Sequence, residues 1–487
     1  MKKLVAGLLD VYNSLSTPAK ASIWFLFCNI LQMGLNVIST PIFTRIMSTE
    51  EYGVVNTYIS WRSILMIFTS LNLSYGVFNN AMVRHEDSKT RDEYISSMQT
   101  LYCLITCGFF VFYLCTREWC NQILGMSTTV VVMLFFDLLC YPALLFWSGR
   151  QRYEFKYKWL VVVTILMTVA NIAVGIGAVL ISEHKDVAKI ASGVVVNVVF
   201  CGFFLIYHFI KGRKLCVPKF WKFALAFNIP LIPHYLSEMI LNQSDRIMIS
   251  KYDGNTATAN YSIAYSVVML MQLVMSAVSA SFLPWSYECL KQKKYGDIRK
   301  MSNVLMVLMA GLIFLVMMFV PEIIYLFAGD KYSDAVYVIP PIALSVFFMF
   351  LYELFSTVEF YYGKNIFVMI ASVIAAVLNV VLNRIFIPEY GYYAAGYTTL
   401  FCYFAYAVGH YFFYRIVCRK CLEKNRVYDE RWMLLFAGIM FAVTMLVNMV
   451  YDKVLLRYGI ALVMILIFIW KREAIMEKFQ QMKEKKV

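Results

Sequence analysis

Long apolar stretches separated by short polar gaps repeat along this chain of 487 residues. Fourteen such stretches lie between Ala21 and Trp470, and each is close to the ~20 residues that a helix needs to cross the hydrocarbon core of a bilayer. The pattern therefore predicts an all-α polytopic membrane protein with about 14 transmembrane helices. The predicted spans cover residues 21–47, 52–78, 94–116, 123–148, 159–181, 190–210, 223–250, 257–287, 301–328, 335–362, 366–388, 392–416, 432–451 and 455–470.

Basic residues gather in every second gap between these stretches. They lie in residues 2–20, 84–91, 150–158, 211–222, 291–300, 364, 415–431 and 471–486. Because lysine and arginine are enriched in cytoplasmic loops, these gaps and both termini are predicted to be cytoplasmic. Residues 1–20 are then a cytoplasmic interfacial stretch, and residues 471–487 are a basic cytoplasmic tail.

Composition excludes several classes of protein. A hydrophobic fraction of 61% with only 15% charged residues does not fit a soluble globular domain. The net charge of +14 lies in short loops that flank apolar spans, where it sets topology and meets the lipid bilayer, so nucleic acid is not expected as a partner. Neither a phosphate-binding GxxxxGK[ST] loop nor an HExxH zinc pattern occurs. We predict no catalytic residues, no metal site and no cofactor.

A short sequence repeat links the first and seventh spans. The first ends in Phe-Thr-Arg-Ile-Met-Ser at residues 43–48, and the seventh ends in Ser-Asp-Arg-Ile-Met-Ile at residues 244–249. Glycine follows within eight residues in both places, at Gly53 and Gly254. The two copies are six spans apart, an even number, so both run in the same direction through the membrane. Parallel repeats of this kind place a transport site between two related halves.

Polar side chains inside the early spans are candidates for ligand contact, since each charge at a helix centre costs ~2.5–3.5 kcal/mol on insertion scales. Arg62 lies near the predicted midplane of the second span and Arg45 ends the first. Arg62 either lines a cavity or forms a structural ion pair. A polar stripe along the first span has the spacing of one helix face and consists of Asn29, Gln32, Asn36, Thr40 and Thr44.

The seventh span carries the most polar face. Pro230 and Pro233 are expected to break its first half, because proline removes a backbone donor from a helix. Glu238 is expected to lie desolvated in the membrane and to bind a coupling ion, whereas Asp245 is expected near the outer surface in an interfacial pair with Arg246. Asp137 and Glu353 are expected to be buried, and Glu359 and Arg384 to be ordinary end-of-helix residues. The candidate ion-coupling or gating residues are His234, Glu238, Asn242, Asp245, Arg246, Asp137 and Glu353.

Three motifs resemble those of the bacterial oligosaccharide flippases that act on O-antigen and capsule repeat units. They are Pro-Ile-Phe-Thr-Arg-Ile-Met-Ser-Thr-Glu-Glu-Tyr-Gly at residues 41–53, then Pro230, Pro233, Asp245, Arg246, Asn260 and Tyr261, and finally residues 321–332. That family shares a superfamily with multidrug exporters and the lipid II flippase. The resemblance covers essentially the whole chain, including the count of fourteen spans.

The resemblance implies two pseudo-symmetric six-helix lobes, at residues 21–211 and 222–416, with two appended helices at residues 432–470. It further implies a flippase in the bacterial inner membrane that moves undecaprenyl-pyrophosphate-linked oligosaccharide by alternating access. Arg45 and Arg62 would then bind pyrophosphate, with Asn29, Gln32 and Asn36 contacting sugar, and a proton or Na+ would be the coupling ion. Other polysaccharide-assembly membrane proteins are expected partners. The alternatives are a cation-coupled multidrug exporter and a membrane polysaccharide polymerase.

Overall fold

Helices make up all the regular secondary structure in the residues that the structure describes. The computed structural model describes residues 16–423 and 425–473, without the side chains of a few positions in the helices. The predicted interfacial stretch as far as residue 15 and the predicted tail from residue 474 lie outside these residues. The chain divides into two compact units, one ending at Met239 and the other beginning at Ile240.

The first unit is built from long helices joined by short turns. Its helices are α1 (Thr17–Ile46), α2 (Thr49–Ser70), α3 (Gly76–Arg84), α4 (Ser88–Cys115), α5 (Arg117–Leu124), α6 (Thr128–Tyr153), α7 (Tyr157–Ile181), α8 (Lys185–Gly212) and α9 (Pro218–Asn228). A 3-10 turn at Ile229–Leu231 leads into α10 (Ile232–Tyr252), within which the division between the units falls.

The second unit continues from α10. Its further helices are α11 (Asn255–Lys291), α12 (Tyr295–Met318), α13 (Val320–Ala328), α14 (Ile339–Tyr361), α15 (Asn365–Cys421), α16 (Glu430–Val447) and α17 (Val454–Trp470). Two 3-10 segments, Asp330–Tyr337 and Asn448–Val450, precede α14 and α17. The centre of this unit is α14, which is buried along most of its length and packs against α11 and α15.

Each of the fourteen predicted spans falls on a described helix, on half of α15, or on two consecutive helices, as the spans at residues 52–78, 223–250 and 301–328 do. Nine described helices are long and apolar enough by length and composition to cross a membrane. One of them, α15, turns at Gly391, where φ is +63°, so it accounts for two predicted spans. A Cβ at residue 391 would lie 2.7 Å from Asp253 Oδ2, which accepts a hydrogen bond from the Tyr392 amide. The predicted all-α polytopic class is confirmed.

Some predicted span boundaries are wrong because local backbone geometry ends the helix earlier. The span predicted at residues 52–78 stops at Ser70, where Leu71 takes the left-handed conformation with φ of 45°. The span predicted at residues 301–328 ends at Met318, and Pro321 then occupies the first turn of α13. Proline has no amide hydrogen to continue a preceding helix but fits a helix start.

Side-chain caps fix two helix starts next to the candidate spans. Ser48 and Glu51 form a capping box at α2, with Glu51 accepting from the Ser48 amide at 2.7 Å. Asp87 caps α4, and its hydrogen bond from the Thr90 amide lowers the pKa of the Asp87 carboxyl. The expected break at Pro230 and Pro233 is confirmed, because the chain forms a 3-10 turn there between α9 and α10.

The predicted lobes at residues 21–211 and 222–416 and the appended pair at residues 432–470 stay predictions. The predicted cytoplasmic position of both termini also stays a prediction.

Candidate functional site

A cavity of about 450 Å³ with both polar and apolar lining lies within the first unit. Side chains from α1, α2, α6, α7 and α8 line it, and its volume falls in the range of small-molecule sites. Its polar and charged lining includes Gln32, Arg62, Asp137, Arg152, Asn171, Lys189 and Asn197. Three cationic side chains against one carboxylate give the lining a net positive charge, which favours an anionic ligand.

Arg62 lies in this cavity and is paired at the same time. Its guanidinium forms an ion pair with Asp137 and lies 4.3 Å from the centroid of the Tyr141 ring. Asn197 donates a second hydrogen bond to Asp137 Oδ1 at 2.9 Å. The two alternatives for Arg62 are therefore both present, since the residue lines the cavity and forms an ion pair. As expected, Asp137 is buried.

Cationic groups also mark the two ends of the cavity. Lys189 lies in the first turns of α8, with Nζ 3.8 Å from the centroid of the Phe43 ring. Arg152 lies in the last turn of α6. Because α7 runs between the end of α6 and the start of α8, Arg152 and Lys189 lie at opposite ends of the bundle. Neither forms an ion pair within the described part of the chain.

Close packing fixes the position of the Lys189 ammonium group. A Cβ at Gly175 would lie 2.7 Å from Lys189 Nζ and 3.0 Å from Phe43 Cζ. Glycine at residue 175 therefore leaves the space that the ammonium group occupies. Our sequence prediction missed Lys189, because it falls in a short polar gap between two spans and its chemistry there is that of an ordinary interfacial lysine.

The other predicted substrate residues lie in different places. Gln32 lines the cavity, as expected. Arg45 is exposed and is not among the lining residues of this cavity. Asn29 and Asn36 belong to α1, but their side chains lie outside the described part of the structure. Of the predicted residues whose side chains the structure describes, Gln32 and Arg62 therefore meet in this cavity.

The predicted coupling residues in α10 have very different environments. His234 Nε2 lies 3.7 Å from Glu238 Oε1, and the Glu238 side chain is 53% exposed. Glu238 is therefore not enclosed by the described protein, and its desolvation in the membrane stays a prediction. Asn242 accepts a hydrogen bond from the Tyr265 hydroxyl at 3.0 Å, and the Arg246 guanidinium lies 4.4 Å from the Tyr265 ring centroid. The expected interfacial pair between Asp245 and Arg246 does not form.

Asp245 is the most enclosed carboxylate of α10, at 1% exposure. Oδ1 accepts hydrogen bonds from Asn379 at 3.1 Å and Asn383 at 2.6 Å. Oδ2 accepts hydrogen bonds from the hydroxyls of Tyr261 at 2.5 Å and Thr399 at 2.7 Å. All four donors are neutral, and no cationic side chain of the described residues contacts Asp245. Its charge is thus held by hydrogen bonds alone.

Two further carboxylates lie on α14. Glu353 is partly buried and accepts a hydrogen bond from Ser279 at 2.7 Å. Glu359 is fully buried and lies 3.0 Å from Nδ1 of His410, which is also fully buried. The expectation that Glu359 is an ordinary end-of-helix residue is wrong, because α15 covers it. Arg384 is exposed and donates to the Tyr252 hydroxyl.

Sequence reasoning overlooked two neutral amides of the eleventh predicted span. Asn379 and Asn383 lie four residues apart in a strongly apolar span, which is the spacing of one helix face. That spacing is the signal that pointed to a polar site. His410 carried a similar signal as a lone histidine in an apolar span.

Comparison with known families gives two matches. Residues 19–289 match the family described as polysaccharide biosynthesis protein, which is more than half of the chain. Residues 230–385 match the MatE family.

A curated relative and two solved structures are similar to this chain. "Lsg locus putative protein 1" of Haemophilus influenzae is 28% identical over 166 residues, which cover 32% of this chain and 40% of the relative's length. The structure of "Lipid II flippase MurJ, inward closed conformation" aligns with a TM-score of 0.72 at 14% identity, covering 93% of this chain and 100% of that one. An inward-facing MATE transporter aligns with a TM-score of 0.63 at 13% identity, covering 81% and 96%. These structures show that the fold is shared.

Proposed function

Because the chain belongs to the polysaccharide biosynthesis protein family, we propose that it is a flippase for lipid-linked oligosaccharides. It translocates undecaprenyl-pyrophosphate-linked repeat units from the cytoplasmic to the outer leaflet of the bacterial cytoplasmic membrane. The oligosaccharides then enter O-antigen, capsule or exopolysaccharide synthesis. No covalent chemistry is part of this proposal, so the protein acts as a transporter.

The net positive cavity around Arg62 is the observation that carries the proposal. A pyrophosphate group requires cationic partners, and Arg62 supplies one inside the cavity, with Arg152 and Lys189 adding positive charge at its two ends. Gln32, Asn171 and Asn197 add amide groups that hydrogen-bond hydroxyls. Apolar side chains also line the cavity, but its cationic and amide groups are satisfied only by an anionic and hydroxyl-rich ligand.

Arg62 is expected to exchange partners during transport. Arginine binds phosphate through two parallel hydrogen bonds, so a pyrophosphate oxygen replaces Asp137 on the guanidinium. Asp137 keeps the hydrogen bond from Asn197 when this happens, which limits the cost of the lost ion pair. The ion pair holds Arg62 in place in the absence of substrate and yields when a stronger anion arrives.

The coupling ion is proposed to bind at Asp245 in the second unit. All four hydrogen bonds to Asp245 come from neutral donors, so a coupling cation meets no competing cationic side chain of the described residues there. Glu238 lacks this environment, because half of its side chain is exposed. We therefore assign ion coupling to Asp245 rather than to Glu238. Asn379, Asn383 and Thr399 adjust their hydrogen bonds as the charge on Asp245 changes.

A multidrug exporter is the second candidate, favoured by the MatE match over residues 230–385. Such a protein with cationic substrates needs a cavity with negative charge. The cavity of the first unit has the opposite sign, with three cations and one carboxylate. The sign of the cavity therefore favours the oligosaccharide substrate.

Deletion of the gene in its own host tests the proposed function. Loss of the flippase is expected to remove surface polysaccharide and to leave lipid-linked repeat units in the membrane, where mass spectrometry of extracted lipids detects them. Unchanged surface polysaccharide, together with increased sensitivity to cationic drugs, supports the exporter instead.

A further inference from the structure

In the second unit, two buried carboxylates from other helices contact one face of α15 at different points along its length. Asp245 contacts Thr399 near the start of the second half of α15, and Glu359 contacts His410, eleven residues further along the same helix. At ~1.5 Å per residue this separation corresponds to ~16 Å along the helix axis. Both carboxylates are at most 1% exposed.

Side chains that carry protons lie between the two carboxylates. Thr399, Tyr403, Tyr406 and His410 have spacings of four, three and four residues, which place them on one face of a helix. All four are buried. Hydroxyl and imidazole groups both donate and accept hydrogen bonds, so this face has the chemistry of a proton path within an otherwise apolar helix.

The Asp245 end of this face is already linked by hydrogen bonds. The hydroxyls of Tyr261 and Thr399 both donate to Asp245 Oδ2, and they lie 3.4 Å from each other. A proton on Asp245 therefore has Thr399 as its direct neighbour on α15.

The Glu359 end is open on one side. His410 Nδ1 lies 3.0 Å from both carboxylate oxygens of Glu359, whereas His410 Nε2 is buried and has no hydrogen-bond partner among the described residues. The Tyr406 and His410 rings are 4.7 Å apart in an edge arrangement, and Tyr352 stacks on His410 at 5.6 Å. An unpaired buried imidazole nitrogen is costly, and it is the atom that a proton arriving along the face needs.

We propose that this face of α15 conducts the coupling proton between Asp245 and Glu359. The inference rests on the proposed function, and it identifies the coupling ion as a proton. Each step breaks one O–H or N–H bond and forms another, with no electron transfer. Asp245 gives its proton to the Thr399 hydroxyl, which releases its own proton toward Tyr403. Tyr403 and Tyr406 repeat this exchange. His410 then accepts a proton at Nε2, and its Nδ1 releases one to Glu359.

Other ionisable groups on the neighbouring helices have separate partners. Glu353 of α14 binds Ser279, and Glu430 of α16 pairs with Arg415 at 2.8 Å. From α11, Tyr261 belongs to the Asp245 end and Tyr265 bonds Asn242. Glu359 is therefore the acceptor that the geometry offers to His410.

Hydroxyl deletion on the helix face tests the path without changing its packing. The full-length chain is reconstituted in vesicles that enclose a pH-sensitive dye, and lipid extracted from the gene-deletion strain is added as the substrate. Tyr403→Phe and Tyr406→Phe are expected to lower proton flux about a hundredfold, the lower end of what a positioned proton-transfer group contributes. Tyr397→Phe is the matched control, because Tyr397 is on the same helix but is exposed, and it is expected to conduct as the parent does.

A second readout needs no transport. Infrared spectra recorded after a pH jump follow protonation of Glu359, assigned by the band lost in Glu359→Gln. Tyr403→Phe is expected to delay this band and Tyr397→Phe to leave it unchanged.

Equal flux and equal band kinetics in all three tyrosine variants overturn the path. Substrate-dependent Na+ flux with no proton flux also overturns it but leaves the flippase intact. If the parent protein does not transport the lipid but the Glu359 band still depends on Tyr403, the path is supported and the proposed function is contradicted.

Discussion

Arg62 of α2 and Asp137 of α6 form an ion pair inside the cavity of the first unit, although 75 residues separate them in the chain. Asn197 of α8 completes the arrangement by donating to Asp137. The cavity therefore holds a cation that is available to a ligand but is anchored in the ligand's absence. This relationship determines what each substitution in the cavity is expected to do.

Removal of the Arg62 guanidinium is expected to affect both transport and stability. Arg62→Ala leaves Asp137 buried without its cation, and such a loss typically destabilises by ~3–5 kcal/mol. The double variant Arg62→Ala with Asp137→Asn removes the unpaired charge, so it is expected to regain normal abundance while export stays lost. Arg62→Lys keeps the charge without the two-pronged geometry and is expected to retain partial export. Normal export by the double variant at normal abundance contradicts the substrate role of Arg62.

Lys189 is expected to contribute to export through its charge. Lys189→Gln removes the cation at one end of the cavity and is expected to reduce export about tenfold, the effect of losing one charge-assisted hydrogen bond of ~1.5 kcal/mol. Lys185→Gln is the matched control, since Lys185 lies one turn earlier on α8 and binds the Ile46 carbonyl at 2.7 Å. Surface polysaccharide per cell measures both, and equal export by the two variants argues against a ligand role for Lys189.

A methyl group at residue 175 tests the same cation without changing any charge. Gly175→Ala places a Cβ 2.7 Å from Lys189 Nζ, so the flexible ammonium group must move out of its position. Export is expected to fall, while abundance stays close to normal because alanine is a good helix former. Gly177→Ala, whose Cβ meets no atom within 4 Å, is expected to export normally. Loss of export in both variants points to helix α7 itself rather than to Lys189.

The two carboxylates of α10 are expected to differ in ion coupling. Asp245→Asn is expected to abolish substrate-dependent proton or Na+ flux in reconstituted vesicles, because the amide cannot change its charge. Glu238→Gln is expected to leave that flux largely unchanged, because the Glu238 side chain is half exposed and has no enclosed site. The reverse pattern, with flux lost in Glu238→Gln and kept in Asp245→Asn, returns the coupling role to Glu238.

The sequence predicts the helices well because apolar length is a local property of the chain. Arg62 is found in the same way, since an arginine near the middle of a span must have a polar surrounding. The environment of Asp245 is beyond such reasoning. Its partners Asn379 and Thr399 lie 134 and 154 residues away in the chain, and they carry no charge that marks them as unusual.

Depth along a helix also gave the wrong order of burial for two carboxylates. Counting residues from the start of the seventh span places Glu238 deeper than Asp245, yet Asp245 is enclosed and Glu238 is exposed. Which side of a helix meets a neighbouring helix decides burial, and helix length carries no information about this. The burial of Glu359 against His410 has the same origin, because the covering helix α15 follows in the chain after Glu359 itself.

Leaflet-specific digestion of the substrate tests the central claim most directly. Vesicles are prepared with lipid-linked oligosaccharide from the gene-deletion strain in both leaflets, with and without the full-length protein, and a membrane-impermeant glycosidase is added outside. With the parent protein, digestion is expected to proceed until the inner-leaflet substrate is also consumed. In vesicles with the Arg62→Ala/Asp137→Asn double variant, and in protein-free vesicles, digestion is expected to stop once the outer-leaflet substrate is consumed. Digestion that stops there with the parent protein as well would contradict the assignment of this chain as a flippase.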